Sequence, residues 1–246
     1  MRKRGFTAVE LVVVIVVLAI LMSITMVMVD RRRQAMLRED SAANLRTVYA
    51  SIGQRISTGP FMGAPRVGWY TLSTTPGQLA PHPTDHWVRF YSEAEKAATF
   101  ISPAHPLAQQ MREEAHANPA SALTDDSYWF FGFDLPNEEA GLAFVAAYRK
   151  SVTETGKPPV EQVLDVSPFF NPGTDQEIEH LLRLGANMFW ASRIPVMVER
   201  PGLQRRGGNV LFTDGHIEFI EYPGKLPMTE KFIKALESLD ALKEKR

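Results

Sequence analysis

From residue 11 to residue 29 the chain reads LVVVIVVLAILMSITMVMV, 19 positions without a charge and without a polar face. At about 1.5 Å per residue a helix of that length covers roughly 30 Å, the thickness of a bilayer's hydrocarbon core. A soluble helix is rarely apolar all round, so the run predicts a membrane span. Charge returns abruptly at Asp30-Arg31-Arg32-Arg33, and beyond it the pattern turns amphipathic. Leu45, Val48, Ile52 and Ile56 recur at helical spacing, while Asn44, Arg46, Thr47, Gln54 and Arg55 fill the other faces. Proline is absent between Phe6 and Gly59, and Thr58-Gly59-Pro60 supplies a break. The spacing predicts one helix of roughly fifty residues, about 75 Å long. Residues 6–29 form its membrane half, and residues 30–58 form a stalk packed on the C-terminal part of the chain.

Residues 60–246 have the shorter periods of a globular head. Residues 60–125 are rich in Pro, Gly, Ser, Thr and His. They read as loops with a few strands, such as Val67-Gly68-Trp69-Tyr70 and Trp87-Val88-Arg89-Phe90-Tyr91, and a short helix over 106–115. The aromatic run 128–133, bounded by turn residues, predicts a buried strand. Asn137 caps a helix reaching about residue 150, with Glu138 and Glu139 near its positive end. Thr174-Asp175-Gln176-Glu177 is a capping-box pattern opening a helix that ends at Gly185. Thr229 opens a C-terminal helix with Phe232, Ile233, Leu236, Leu239 and Leu242 on one side. Between residues 209 and 220, Asp214-Gly215 predicts a two-residue hairpin turn with both central residues at positive φ. That register pairs Phe212 with Ile217 and Val210 with Phe219 on an apolar face, and leaves Leu211, Thr213, His216 and Glu218 on a partly solvated one. The fold class is therefore α+β: a long N-terminal helix packed on a C-terminal head with an antiparallel sheet and several helices.

Composition narrows the chemistry. The net charge of −1 hides an uneven distribution, because residues 30–55 carry six Arg against three acids and everything after Pro60 carries 18 Lys/Arg against 24 Asp/Glu. An acidic head argues against nucleic-acid binding, which needs basic surface to displace counterions from phosphates. With no cysteine, disulfides, Cys-ligated zinc and thiol catalysis are excluded. His82 and His86 are four residues apart, but Pro83 places them in a loop without a third ligand. Asp214, Asn209, Asp125 and Asp126 are weak calcium candidates; none forms a dense D-x-D-x-D-G loop, and Asp214 is accounted for by turn geometry. No nucleophile elbow, metal triad or phosphate loop points to an enzyme, and no cofactor is expected.

Arg2, Lys3 and Arg4 ahead of the apolar run resemble the basic region of a secretory signal peptide. The run is too long for one, no small-x-small cleavage site follows it, and it ends in a stop-transfer pattern. Three basic residues on each side leave the orientation open by charge alone. The combination Arg2-Lys3-Arg4-Gly5-Phe6-Thr7, with Glu10 five places after Gly5, closely resembles the signature of type IV pilins and type II secretion pseudopilins. The resemblance implies cleavage after Gly5 by a prepilin peptidase in the bacterial inner membrane and N-methylation of Phe6. It also implies a head outside the cytoplasm and assembly with copies of itself or other pilin-like subunits. Losing residues 1–5 removes three positive charges, so −1 becomes −4. Glu10, expensive at the edge of an apolar run unless partnered, is by the same resemblance the partner of a neighbouring subunit's N-terminal amine. A pair with Phe6 of its own chain, one helical turn away, is also geometrically possible. Many type IV pilins carry a proline about two-thirds through the apolar run; this chain has none. The Asp214-Gly215 hairpin resembles the C-terminal segment of many large pilin-like proteins, where a His precedes the Asp-Gly by nine intervening residues. Gln204 occupies that position here. The competing reading is a membrane-anchored extracytoplasmic binding domain that uses the leader only for export.

Overall fold

The computed structural model describes residues 8–58, 98–122, 126–131, 135, 137–155 and 192–243. Helix α1, Ala8–Thr58, is continuous over 51 residues, about 76 Å at the standard rise. Its first half buries nothing. Ile15, Leu18 and Ile24 keep half or more of their surface exposed, and this helix is long and apolar enough to cross a membrane. The two hydroxyls within the apolar run turn back on the helix itself. Ser23 Oγ donates to Ala19 O and Thr25 Oγ1 to Leu21 O, both at 2.8 Å, so neither presents an unsatisfied donor to hydrocarbon.

Burial begins about a turn beyond Arg38, at Ser41, Ala42, Leu45 and Val48, one stripe at helical spacing. That stripe lies on a four-stranded antiparallel sheet of order β1-β2-β3-β4, comprising β1 Tyr128–Phe130, β2 Pro195–Glu199, β3 Gly207–Phe212 and β4 Ile217–Glu221. α1 contacts β3, β4 and the one-turn 3-10 helix Ala98–Phe100. Farther along the chain come α2 Ala108–Ala117, the 3-10 turn Pro119–Ala122, α3 Glu138–Thr155 and α4 Glu230–Lys243. Asn137 caps α3 as its sequence predicts, its Oδ1 accepting from Ala140 N at 2.8 Å. Thr229 Oγ1 accepts from Phe232 N at the start of α4. α3 packs on α4, where Gly141 leaves room for the Phe232 ring, and that ring also lies 5.7 Å from Phe131. One core cluster joins Leu45 and Val48 of the stalk to Trp129, Val198, Val210, Phe232 and Leu236.

Three sequence expectations change here. The strand expected over 128–133 is described only as Tyr128–Phe130, and the helix expected over 106–115 runs Ala108–Ala117. More consequential, the hairpin closes with three loop residues instead of two. Phe212 N donates to His216 O at 3.0 Å and Gly215 N to Phe212 O at 2.9 Å, and of the loop residues only Gly215 has a positive φ, +88°. This is a turn followed by a Gly bulge, which needs one left-handed residue and not two. The extra residue shifts the register by one, so Leu211 pairs with Ile217, Val210 with Glu218 and Asn209 with Phe219. Leu211, expected on the partly solvated face, is fully buried. The expected strands at 67–70 and 87–91, the helix at 174–185, and His82 and His86 lie outside the described residues.

Candidate functional site

The register shift decides which face of the hairpin meets the stalk. Residues paired across an antiparallel ladder share a face, so Asn209, Leu211, Ile217 and Phe219 stand together. Asn209 Nδ2 donates to Arg38 O at 2.8 Å, while the Arg38 guanidinium lies 3.8 Å from the centroid of the Phe219 ring. At the loop, Gly215 packs so tightly on Tyr49 that a Cβ there would overlap the ring. The Asp-Gly turn is thus a seat for the stalk as well as a chain reversal.

Beneath this seam lies a buried polar cluster. Glu199, at the end of β2, has no exposed surface. Its Oε1 accepts from Ser102 Oγ at 2.6 Å; its Oε2 accepts from Gln204 Nε2 at 2.6 Å and from Asn209 N at 3.0 Å. Tyr128, paired with Glu199 across β1 and β2, shares a hydrogen bond with Ser41 of α1 at 3.1 Å. Asn44 Nδ2 donates to Ile101 O at 3.1 Å. Burial pushes the Glu199 carboxyl up from the ordinary Glu range, outweighing the hydrogen bonds that favour the anion. Burial, reinforced by the neighbouring Glu199 charge, also pushes the Tyr128 hydroxyl upward. The carboxylate accepts from the Ser102 loop, from Gln204 and from β3, and the adjoining Tyr128–Ser41 bond links β1 to helix α1. The cluster is a tie between stalk and head.

The sequence-predicted residues fall in different places. Glu10 lies on α1 ahead of the apolar run; Gly5 and Phe6 lie outside the described residues. Two of the weak calcium candidates have other partners. Asn209 is buried with its amide committed to the stalk, whereas Asp214 Oδ1 accepts from His216 N at 3.1 Å and lies 2.5 Å from His216 Nδ1. Asp125 is outside the described residues, among which no group of three His, Cys, Asp or Glu side chains is placed to hold a metal. Gln204, at the position where the resembling proteins carry His, is a buried donor to Glu199. Sequence reasoning missed β2 and Glu199. Their signal was present, an apolar run over 194–198 ending in a lone acid and bounded by Pro201-Gly202.

Comparison with protein-family models, with curated proteins and with solved structures gave no match to this chain. The pilin-like resemblance therefore stands on the N-terminal segment and the Asp-Gly turn themselves.

Proposed function

We propose that the chain is a pilin-like structural subunit. A prepilin peptidase cuts it after Gly5, Phe6 is N-methylated, and the subunit assembles through its N-terminal helix into a type IV pilus or a type II secretion pseudopilus. The head stands outside the cytoplasm, and the partners are the inner membrane and neighbouring pilin-like subunits. The observation that carries this reading is the division of α1. Its apolar half is exposed on every side, and its second half is tied into the head by buried side chains. Such a helix holds a head at a set distance from an apolar medium, first lipid and then the packed helices of an assembly.

Intact-mass measurement on the chain purified from membranes should give a mature N-terminus at Phe6 carrying one added methyl group. An intact Met1, or a cut near residue 30, would defeat the proposal. Glu10→Ala should abolish assembly while membrane retention and head folding persist; assembly at the wild-type level would remove Glu10 from its role.

A further inference from the structure

Asp30, the first charge after the apolar run, is held by a residue from the other end of the chain. Arg205 Nη1 lies 3.3 Å from its Oδ2. Arg205 reaches down from a loop tied higher on the same helix, where Arg38 Nη2 donates to Arg205 O at 3.4 Å. Eight residues separate Asp30 from Arg38, about 12 Å of helix. The loop around Arg205 thus hangs beside the first two turns beyond the run. Its guanidinium reaches the level where hydrocarbon gives way to headgroups, a layer roughly 5–7 Å deep on each side.

Exposed charge on these turns and on the Arg205 loop is largely basic. Arg31, Arg32, Arg33, Arg205 and Arg206 are all exposed. Asp30 is met by Arg205, and the next acid, Glu39, is met by Arg46. Among the described residues no ion pair engages Arg31, Arg32, Arg33 or Arg206. Successive helical residues point about 100° apart, so Arg31 to Arg33 sweep roughly 200° around the axis. A ring of that kind does not present one face to a protein partner. It matches a plane that the helix passes through, and guanidinium forks match phosphate oxygens in pairs.

We infer that Arg31, Arg32, Arg33 and Arg206 form a collar that binds anionic phospholipid headgroups in the leaflet on the head's side. The collar sets the height of the head above the bilayer. The inference rests on the reading of α1 as a membrane span.

The test uses the full chain in a neutral detergent, titrated with short-chain phosphatidylglycerol or phosphatidylcholine, with bound lipids counted by native mass spectrometry. Phosphatidylglycerol should bind about tenfold or more tightly than phosphatidylcholine, and the preference should shrink as salt approaches 1 M, where screening shortens to about 3 Å. R31Q/R32Q/R33Q/R206Q should bring the two lipids to near parity, while the four-Lys counterpart retains most of the preference. Equal binding of both lipids by the wild type, or an undiminished preference in a folded four-Gln variant, overturns the collar. Should that variant fail to fold, the wild-type lipid ratio and its salt dependence decide. Carbonate washing of membranes separates the two readings: extraction of the wild-type chain defeats the span itself, whereas retention without lipid preference defeats the collar alone.

Discussion

Burial sets the ionisation of Glu199, and ionisation should in turn set part of the head's pH response. Its folded-state carboxyl holds its proton to higher pH than the ordinary value of 4.5. Between that value and the raised one the folded state binds more protons than the unfolded state, so stability falls as pH rises. Glu199→Gln keeps the shape and can accept from Gln204 and Asn209 while its amide faces the Ser102 hydroxyl. The stability difference between wild type and this variant should therefore shift against the wild type as pH rises above 4.5, as read by urea unfolding across the pH series. A difference independent of pH would contradict the raised carboxyl. Glu199→Ala strands buried donors and should cost about 2–4 kcal/mol near pH 4.5, a loss that shrinks as pH rises because the wild type alone carries the raised carboxyl. At the turn, Gly215→Ala combines positive φ with overlap on Tyr49. A loss of about 2 kcal/mol is expected, of which roughly 1 kcal/mol is backbone strain that remains when Tyr49→Ala removes the overlap. A double-mutant cycle by denaturant melts measures both parts.

The elements that the sequence predicted well are those whose signals are local. Asn137 caps α3 and Thr229 caps α4 because a short polar side chain meets an orphan N–H within its own first turn. β1 was visible through its aromatic residues and flanking turn residues. The hairpin was half legible: Asp214-Gly215 marked the reversal, but whether one or two residues take positive φ depends on packing, and here Tyr49 lies against Gly215. That single residue of loop length changed which β4 residues share a face with each side of β3, a strand buried on both faces. Glu199 was illegible for a different reason. Gln204 and Asn209 lie within ten residues of it, but neither marks a carboxylate site, and no spacing rule links Ser102 to a carboxylate 97 residues away. At this scale the stalk's grip is testable. Leu45 is fully buried, whereas Met36, nine positions earlier, is 66% exposed. Leu45→Ala should destabilise the head by about 2–5 kcal/mol, and Met36→Ala by about 0.5 kcal/mol or less, in the same unfolding assay.

Seen whole, the molecule consists of an α+β head and an apolar rod, and the two ask opposite things of their surroundings. A charge in the middle of the rod should separate them. Ile20→Asp should raise the free energy of membrane insertion by about 2.5–3.5 kcal/mol, reducing carbonate-resistant membrane retention. The head's melting profile should stay unchanged, since Ile20 is 54% exposed and touches none of the core.

Because α1 runs unbroken from the apolar run into the head, residue number along it behaves like the tooth count of a gear. One residue inserted between Asp30 and Arg38 would turn the head by about 100° and lift it by about 1.5 Å relative to the rod. Seven inserted residues would bring the bearing back to within about 20° but leave the head about 10 Å higher, carrying Arg205 beyond reach of Asp30. Azimuth and elevation are thus encoded together in the length of one short segment, and an alteration there that restores one setting misplaces the other.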